Sequence, residues 1–412
     1  MYRGILLAVT LMVTACGGDQ NTKEAVAVEK KPVSESEALG GEALAKKYII
    51  VDTHIDVPWR LKKNMEDVGF ATEKGQFDYP RAQEGGLNVP FMSIYIPASV
   101  DEEGGATALA DDLIDLVENI VTDHPEKFAL AVSTASVEKN FKDGKISLAL
   151  GMENGGPIAG DFKNLKHFYD RGIRYITLTH SKSNHISDSS YDDNKRWDGL
   201  SEFGEQLIPE MNRLGVMVDI SHVSDAAFYD VLSISKVPVI ASHSSARHFV
   251  PGFERNMDDE MLKALANNGG VMQLNIGSTF ISNKSRESSN LTREMGKKYL
   301  EENKLDPDSE TGKAALEKIK LQYPFSYANM DDVLDHVDHV VKVTGIDHIG
   351  IGSDFDGVGD SLPVGFKDVS DYPAFIDGLL SRGYTEAQIE KILSGNLMRV
   401  WQEVEQFALN SK

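Results

Sequence analysis

Five residues of metal-ligand type each close a short apolar run. His54 and Asp56 follow from YIIVDT, Glu153 from ISLALGM, His222 from VMVDIS and His243 from VPVIAS. Imidazole and carboxylate donors suit zinc near neutral pH, and five of them at equivalent positions read as a two-metal hydrolytic centre. His54 and Asp56 stand two apart on an extended segment, so both point to one face and can grip one cation. His222 and His243 would complete a second. Glu153 ends an otherwise apolar stretch, where a carboxylate must be paired or bind metal to offset its desolvation, and a bridge between two cations fits. The competing readings are a glutamate capping the Gly155-Gly156 turn and histidines bonded within a core.

Two further residues lie at the same level. His180 ends YITLTH and is either a ligand or, the reading preferred here, a neutral donor to a substrate carbonyl. Asp354 closes HIGIGSD and suits proton transfer from a metal-bound water to a leaving nitrogen. Its neighbour Asp356 is read as structural.

Residues this far apart in sequence meet if they sit at the C-terminal ends of parallel strands, where the side chains of a barrel converge on one mouth. From Tyr48 onward, apolar runs alternate with amphipathic stretches, the pattern of repeated β-α units. The expected fold is α/β, a (β/α)8 TIM-type barrel, with a long charged insertion at residues 280–329 before the last barrel strand. Nine candidate strands compete for eight places, so either FALAV (128–132) or the early SIYI run lies outside the barrel. Helical patterns cover 108–122, 204–214, 225–234 and 258–267, several after Asp or Ser capping types.

Composition fits one elaborated domain: 41% hydrophobic and 26% charged residues argue against disorder, and 35 glycines suit many strand-to-helix turns. A formal charge of -22 repels nucleic acid and anionic membrane surfaces, so neither is expected as a partner.

The single cysteine, Cys16, excludes an intramolecular disulfide and a thiolate metal site. It follows an apolar run, 5–13, too short to span a bilayer. Val13-Thr14-Ala15-Cys16 resembles the bacterial lipobox, which implies a signal peptide over 1–15 and lipid attachment at Cys16. Residues 16–41 then form a polar tether, residues 42–412 the catalytic barrel, and the expected location is the bacterial cell envelope. Contact with the membrane would run only through the lipid.

The motifs DTHIDVPW, GMENGG, YITLTHSKSN, EMNRLGVMVDISHVSD, VPVIASHSSAR, RNMDDEML and IDHIGIGSDFDGV together resemble the membrane (renal-type) dipeptidases, amidohydrolase-like metallopeptidases, over 48–401. The resemblance implies a (β/α)8 barrel with two Zn2+ per subunit. His54 and Asp56 would bind one zinc, His222 and His243 the other, and Glu153 both. His180 would polarise the substrate, Asp354 act as acid/base, and Arg255 receive the substrate carboxylate. On residue chemistry alone, a guanidinium at Arg255 forks onto a carboxylate and would measure a short substrate by its C-terminus; the alternative is a surface arginine ahead of a helix. The expected substrates are dipeptides, including those ending in a D-residue, and analogy alone implies a homodimer.

Three features depart from the family pattern. One extra residue lies between His243 and Arg255, Asn154 stands where many members have glycine, which is expected to alter the pocket wall, and the insertion around 287–319 is longer or more charged than usual. A deacylase for N-acyl amino acids on the same scaffold, and a zinc- or peptide-binding lipoprotein without turnover, are the alternatives. A phosphotriesterase is disfavoured, because those barrels usually bridge their metals with a modified lysine where Glu153 stands here.

Overall fold

The computed structural model describes residues 39–411. The expected signal sequence, the lipidated Cys16 and the tether as far as residue 38 lie outside the described residues. Among the described residues nine parallel strands are formed: β1 (Val51–Ile55), β2 (Val89–Tyr95), β3 (Phe128–Leu130), β4 (Ile146–Glu153), β5 (Ile173–Thr177), β6 (Met217–Asp219), β7 (Ile240–Ser244), β8 (Val271–Leu274) and β9 (Ile349–Ile351). Eight run in the order β1-β2-β4-β5-β6-β7-β8-β9, and β3 pairs with β4 alone.

The surplus strand is therefore the FALAV segment, and SIYI belongs to the barrel. The reason lies in the length of β4. Its first residues, Ile146 to Leu148, pair with Phe128 to Leu130, while Ala149 to Glu153 pair with Phe91 to Tyr95 of β2. One eight-residue strand thus serves two neighbours, and β3 stops where β2 takes over.

Between β9 and β1 the barrel closes through a narrow seam. Asp354 N–H donates to His54 O at 3.0 Å and Asp56 N–H to Phe355 O at 2.8 Å, around a single bridge between Ile55 and Phe355. The strands are buried on both faces, as covered parallel sheets require. Inside, Val51, Val89, Phe91, Tyr175, Ile240 and Val271 pack with Trp401, Leu397 and Val404 of the last helix, Asn396–Asn410, so the barrel is a filled core rather than a pore.

The helices read from the pattern form close to their expected limits, at Ala106–Asp123, Glu202–Leu214, Asp225–Ile234 and Asp259–Asn267. The last three start where Ser201, Ser224 and Asp258 accept a backbone N–H of the first turn, satisfying donors with no partner in the helix. Between β8 and β9 the charged insertion folds as Ser278–Ile281, Asn283–Asn303 and Glu310–Gln322, followed by Met330–Thr344.

Candidate metal centre

The expected metal-centre residues, together with His180 and Asp354, lie at the C-terminal mouth of the barrel. His54 lies in β1 and Asp56 just after it, Glu153 ends β4, and His243 lies in β7. His180, His222 and Asp354 each sit three residues past the end of β5, β6 and β9. His222 (φ 69°) and Asp354 (φ 66°) adopt the left-handed backbone that non-glycine residues avoid. Such conformations are held in place by their surroundings and concentrate at functional sites.

The two carboxylate oxygens of Glu153 face different donors. Oε2 is 3.4 Å from His54 Nε2, which is in turn 3.5 Å from Asp56 Oδ2. Oε1 is 3.1 Å from His222 Nε2, 3.3 Å from His243 Nε2 and 3.6 Å from His180 Nε2. Two ligands about 2.0–2.1 Å from a tetrahedral zinc stand roughly 3.3 Å apart, so both sets of separations fit a shared ion. His222 Nε2 and His243 Nε2 approach to 2.9 Å, a contact that a cation between two lone pairs would stabilise. His54 Nε2 and Asp56 Oδ1 are buried and without a hydrogen-bond partner. The donor set therefore fits two cations with Glu153 common to both.

The opposite edge of His54 and of His243 is fixed. His54 Nδ1–H donates to the Tyr175 hydroxyl at 2.9 Å, and that hydroxyl donates to Thr53 O at 2.9 Å. Likewise Ser242 Oγ donates to Asp219 Oδ2, so its oxygen is left to accept from His243 Nδ1–H at 2.7 Å. Both arrangements direct a lone pair on Nε2 into the site. Asn275 Nδ2 donates to Asp354 Oδ2 at 2.8 Å. Sequence reasoning missed Tyr175, Asp219, Ser242 and Asn275, which carry no ligand spacing of their own; polar types on apolar strands were their only signal.

Electrostatics agree with these roles. Burial, with Arg255 adding to it, holds the His222 imidazole well below its ordinary range, and burial with His54 does so for His243. Burial also lowers His180. All three are neutral near pH 7. Burial opposes charge on His54, yet Tyr175, Glu153 and Asp56 together raise it well above its usual value, so its surroundings favour a positive charge at Nε2. Burial, reinforced by Asp56 and Glu153 against the opposing pull of His54, raises Asp354 well above the carboxylate range.

A cavity of about 680 Å³ opens over this centre, lined by Trp59, Tyr95, Tyr191, His180, Phe280 and Asp354 among others. Arg255 is buried beside it rather than on the surface. Its Nη1 donates to Ser244 Oγ at 2.8 Å and its Nη2 to His243 O at 2.6 Å, leaving Nε without a partner. Asp356 is bound to Arg60 Nε at 2.9 Å and accepts from Gln76 N–H at 2.7 Å, the structural role expected of it. Asn154 corrects an expectation, because it does not line the cavity. At φ 79° it donates to Ile96 O and accepts from Gly156 N–H and Asn184, tying down the end of β4. A left-handed position accepts glycine or asparagine alike.

Fold and site together define a (β/α)8 barrel with a candidate metal centre at its C-terminal mouth. Residues 41–412 match the membrane dipeptidase family, peptidase family M19, and the chain belongs to that family. It is 33% identical to mouse (Mus musculus) Dipeptidase 3 over 373 residues, covering 88% of this chain and 66% of that protein, so the chain spans just under two thirds of that relative's length. Among solved structures it is similar to the probable dipeptidase PvdM of Pseudomonas aeruginosa (26% identity, TM-score 0.75, 89% of this chain and 98% of that one). It is also similar to dipeptidase AC, an M19 metallopeptidase (25% identity, TM-score 0.71, 87% and 98%).

Proposed function

We propose that the protein is a dipeptidase that hydrolyses its substrate at two zinc ions bridged by Glu153. The observation that carries this reading is the division of Glu153: one oxygen within 3.4 Å of His54 and the other within 3.3 Å of His222 and His243. His54 and Asp56 would hold one ion, His222 and His243 the other. When bound, such ions would supply Lewis acidity and lower the pKa of a water at the site.

The chain's own residues do the remainder. Asp354, kept in place by Asn275, takes the proton of the attacking water and hands it to the departing amine. His180, neutral through burial, donates to the scissile carbonyl oxygen as charge grows on it. Arg255, whose Nε has no partner, would receive the substrate's C-terminal carboxylate. Reading a free C-terminus one residue beyond the scissile bond limits the leaving side to a single residue, as in a dipeptidase rather than an endopeptidase, and residues of D configuration at that end are included in the proposal.

Zinc content measured together with hydrolysis of a dipeptide panel, including L-Ala-D-Ala and N-acetyl-alanine, on protein lacking residues 1–16 tests this. Two zinc ions with dipeptide cleavage are expected. Cleavage of N-acetyl-alanine alone would move the function to a deacylase, and bound zinc without turnover would remove the catalytic assignment. We also propose lipid attachment at Cys16 and a cell-envelope location, supported by the lipobox-like sequence; labelling with radioactive palmitate that Cys16→Ser abolishes is the expected result.

A further inference from the structure

Arg286, like Arg174, Arg196, Arg255 and Arg293, is an arginine of this acidic chain that makes no ion pair among the described residues. Others, Arg60, Arg171, Arg247 and Arg382 included, hold carboxylates. Among the described residues Arg286 pairs with no carboxylate: its electrical surroundings are partial burial, the Tyr191 hydroxyl and the like charge of Arg293. It also lies in the first turns of the helix Asn283–Asn303, where the exposed N–H groups make a positive charge unfavourable. Three effects thus oppose a cation at this point, and the chain places one there all the same.

The guanidinium is positioned rather than loose. Its Cζ lies 3.4 Å above the Phe253 ring, a stacking that suits arginine. Phe253 lies 5.9 Å from the Tyr191 ring, which lines the catalytic cavity, and 5.7 Å from Phe280, which also lines it. Arg255 lies over the second ring of this pair, 5.6 Å from Phe280. Two guanidiniums therefore sit behind the aromatic side of the cavity, Arg255 against Phe280, which lines it, and Arg286 against Phe253, one ring further back.

We infer that Arg286 is a specificity residue, receiving an acidic side chain on the C-terminal residue of the substrate while Arg255 receives the main-chain carboxylate. This rests on the dipeptidase reading above and deepens it. An anion at Arg286 would relieve the repulsion from Arg293 and complement the helix N-terminus, so the same features that make the free cation unfavourable make its occupancy favourable.

The test compares L-Ala-L-Glu with its neutral isostere L-Ala-L-Gln on the zinc-loaded protein. The native enzyme prefers the acidic substrate in kcat/KM. Arg286→Gln lowers that Glu-over-Gln ratio by roughly tenfold or more, through KM, as expected for loss of a hydrogen bond to a charged group, and Arg286→Glu shifts preference toward L-Ala-L-Lys. An unchanged ratio in both variants overturns the inference, including the case in which KM rises equally for every dipeptide because Arg286 reads the main-chain carboxylate instead. Failure of the native protein to cleave any dipeptide removes the dipeptidase reading and the inference together, a result distinct from an unchanged ratio.

Discussion

Asn275 holds Asp354 from behind: its Nδ2 donates to Asp354 Oδ2 at 2.8 Å, and its own Oδ1 accepts the Gly277 N–H at 2.8 Å. The amide is thus fixed by the chain turn after β8 and in turn fixes one oxygen of the carboxylate, leaving the other for the reaction. Asn275→Ala is expected to lower kcat about 10- to 100-fold with KM and zinc content near native. Loss of zinc in this variant would mean that Asn275 supports the metal centre and not the proton carrier.

Glu153 serves both clusters, so its loss should be felt in both. Glu153→Ala is expected to retain one zinc or none and to lose roughly a thousandfold or more in rate. Metal analysis after dialysis checks this; two retained zinc ions would contradict a bridging carboxylate.

Tyr175 fixes the ring of His54 without facing the substrate. Tyr175→Phe removes the hydroxyl that accepts from Nδ1–H, and zinc affinity is expected to fall about 10- to 100-fold, read by competition with a coloured chelator. Thr53 O loses its donor as well, so a fall in stability of about 1–3 kcal/mol should accompany it.

His336 gives the fold an acid-sensitive point away from the centre. Burial pushes it from 6.5 to about 3, with Nδ1 accepting from Ala246 N–H and Nε2 donating to Ile281 O. A base whose folded value lies below its unfolded one leaves the unfolded chain to take up the proton first. Its stabilising effect is therefore complete above about pH 6.5 and lost as pH falls toward 3, on the order of 3 kcal/mol by about pH 4. Melting temperature against pH should fall less steeply in His336→Gln, which keeps a donor for Ile281 O.

The strand-end ligands were legible because a barrel converts sequence position into spatial position: once an apolar run is read as a strand, its last residue is at the mouth. Helices at Asp225–Ile234 and Asp259–Asn267 were equally plain, since period, cap and length agree. What supports the ligands was not legible. Tyr175 reads as an ordinary strand residue, and only the structure shows its ring filling the space beside Gly151, where an added Cβ would meet Tyr175 Cζ at 1.9 Å. Asn154 misled for a related reason, because its backbone conformation turns its amide away from the cavity. The place of β3 was open because three apolar residues look the same whether the strand beside them continues upward or not.

The seam between β9 and β1 is made by backbone bonds of the residues that form the site, Asp354 to His54 and Asp56 to Phe355. Ion binding at His54 and Asp56 would therefore act as a clasp on the barrel's last joint, drawing the first strand against its neighbours. Amide exchange at Asp56 and Asp354 would then report metal occupancy directly, slowing as zinc is added. The joint that completes the fold and the centre that performs the chemistry would open and close as one.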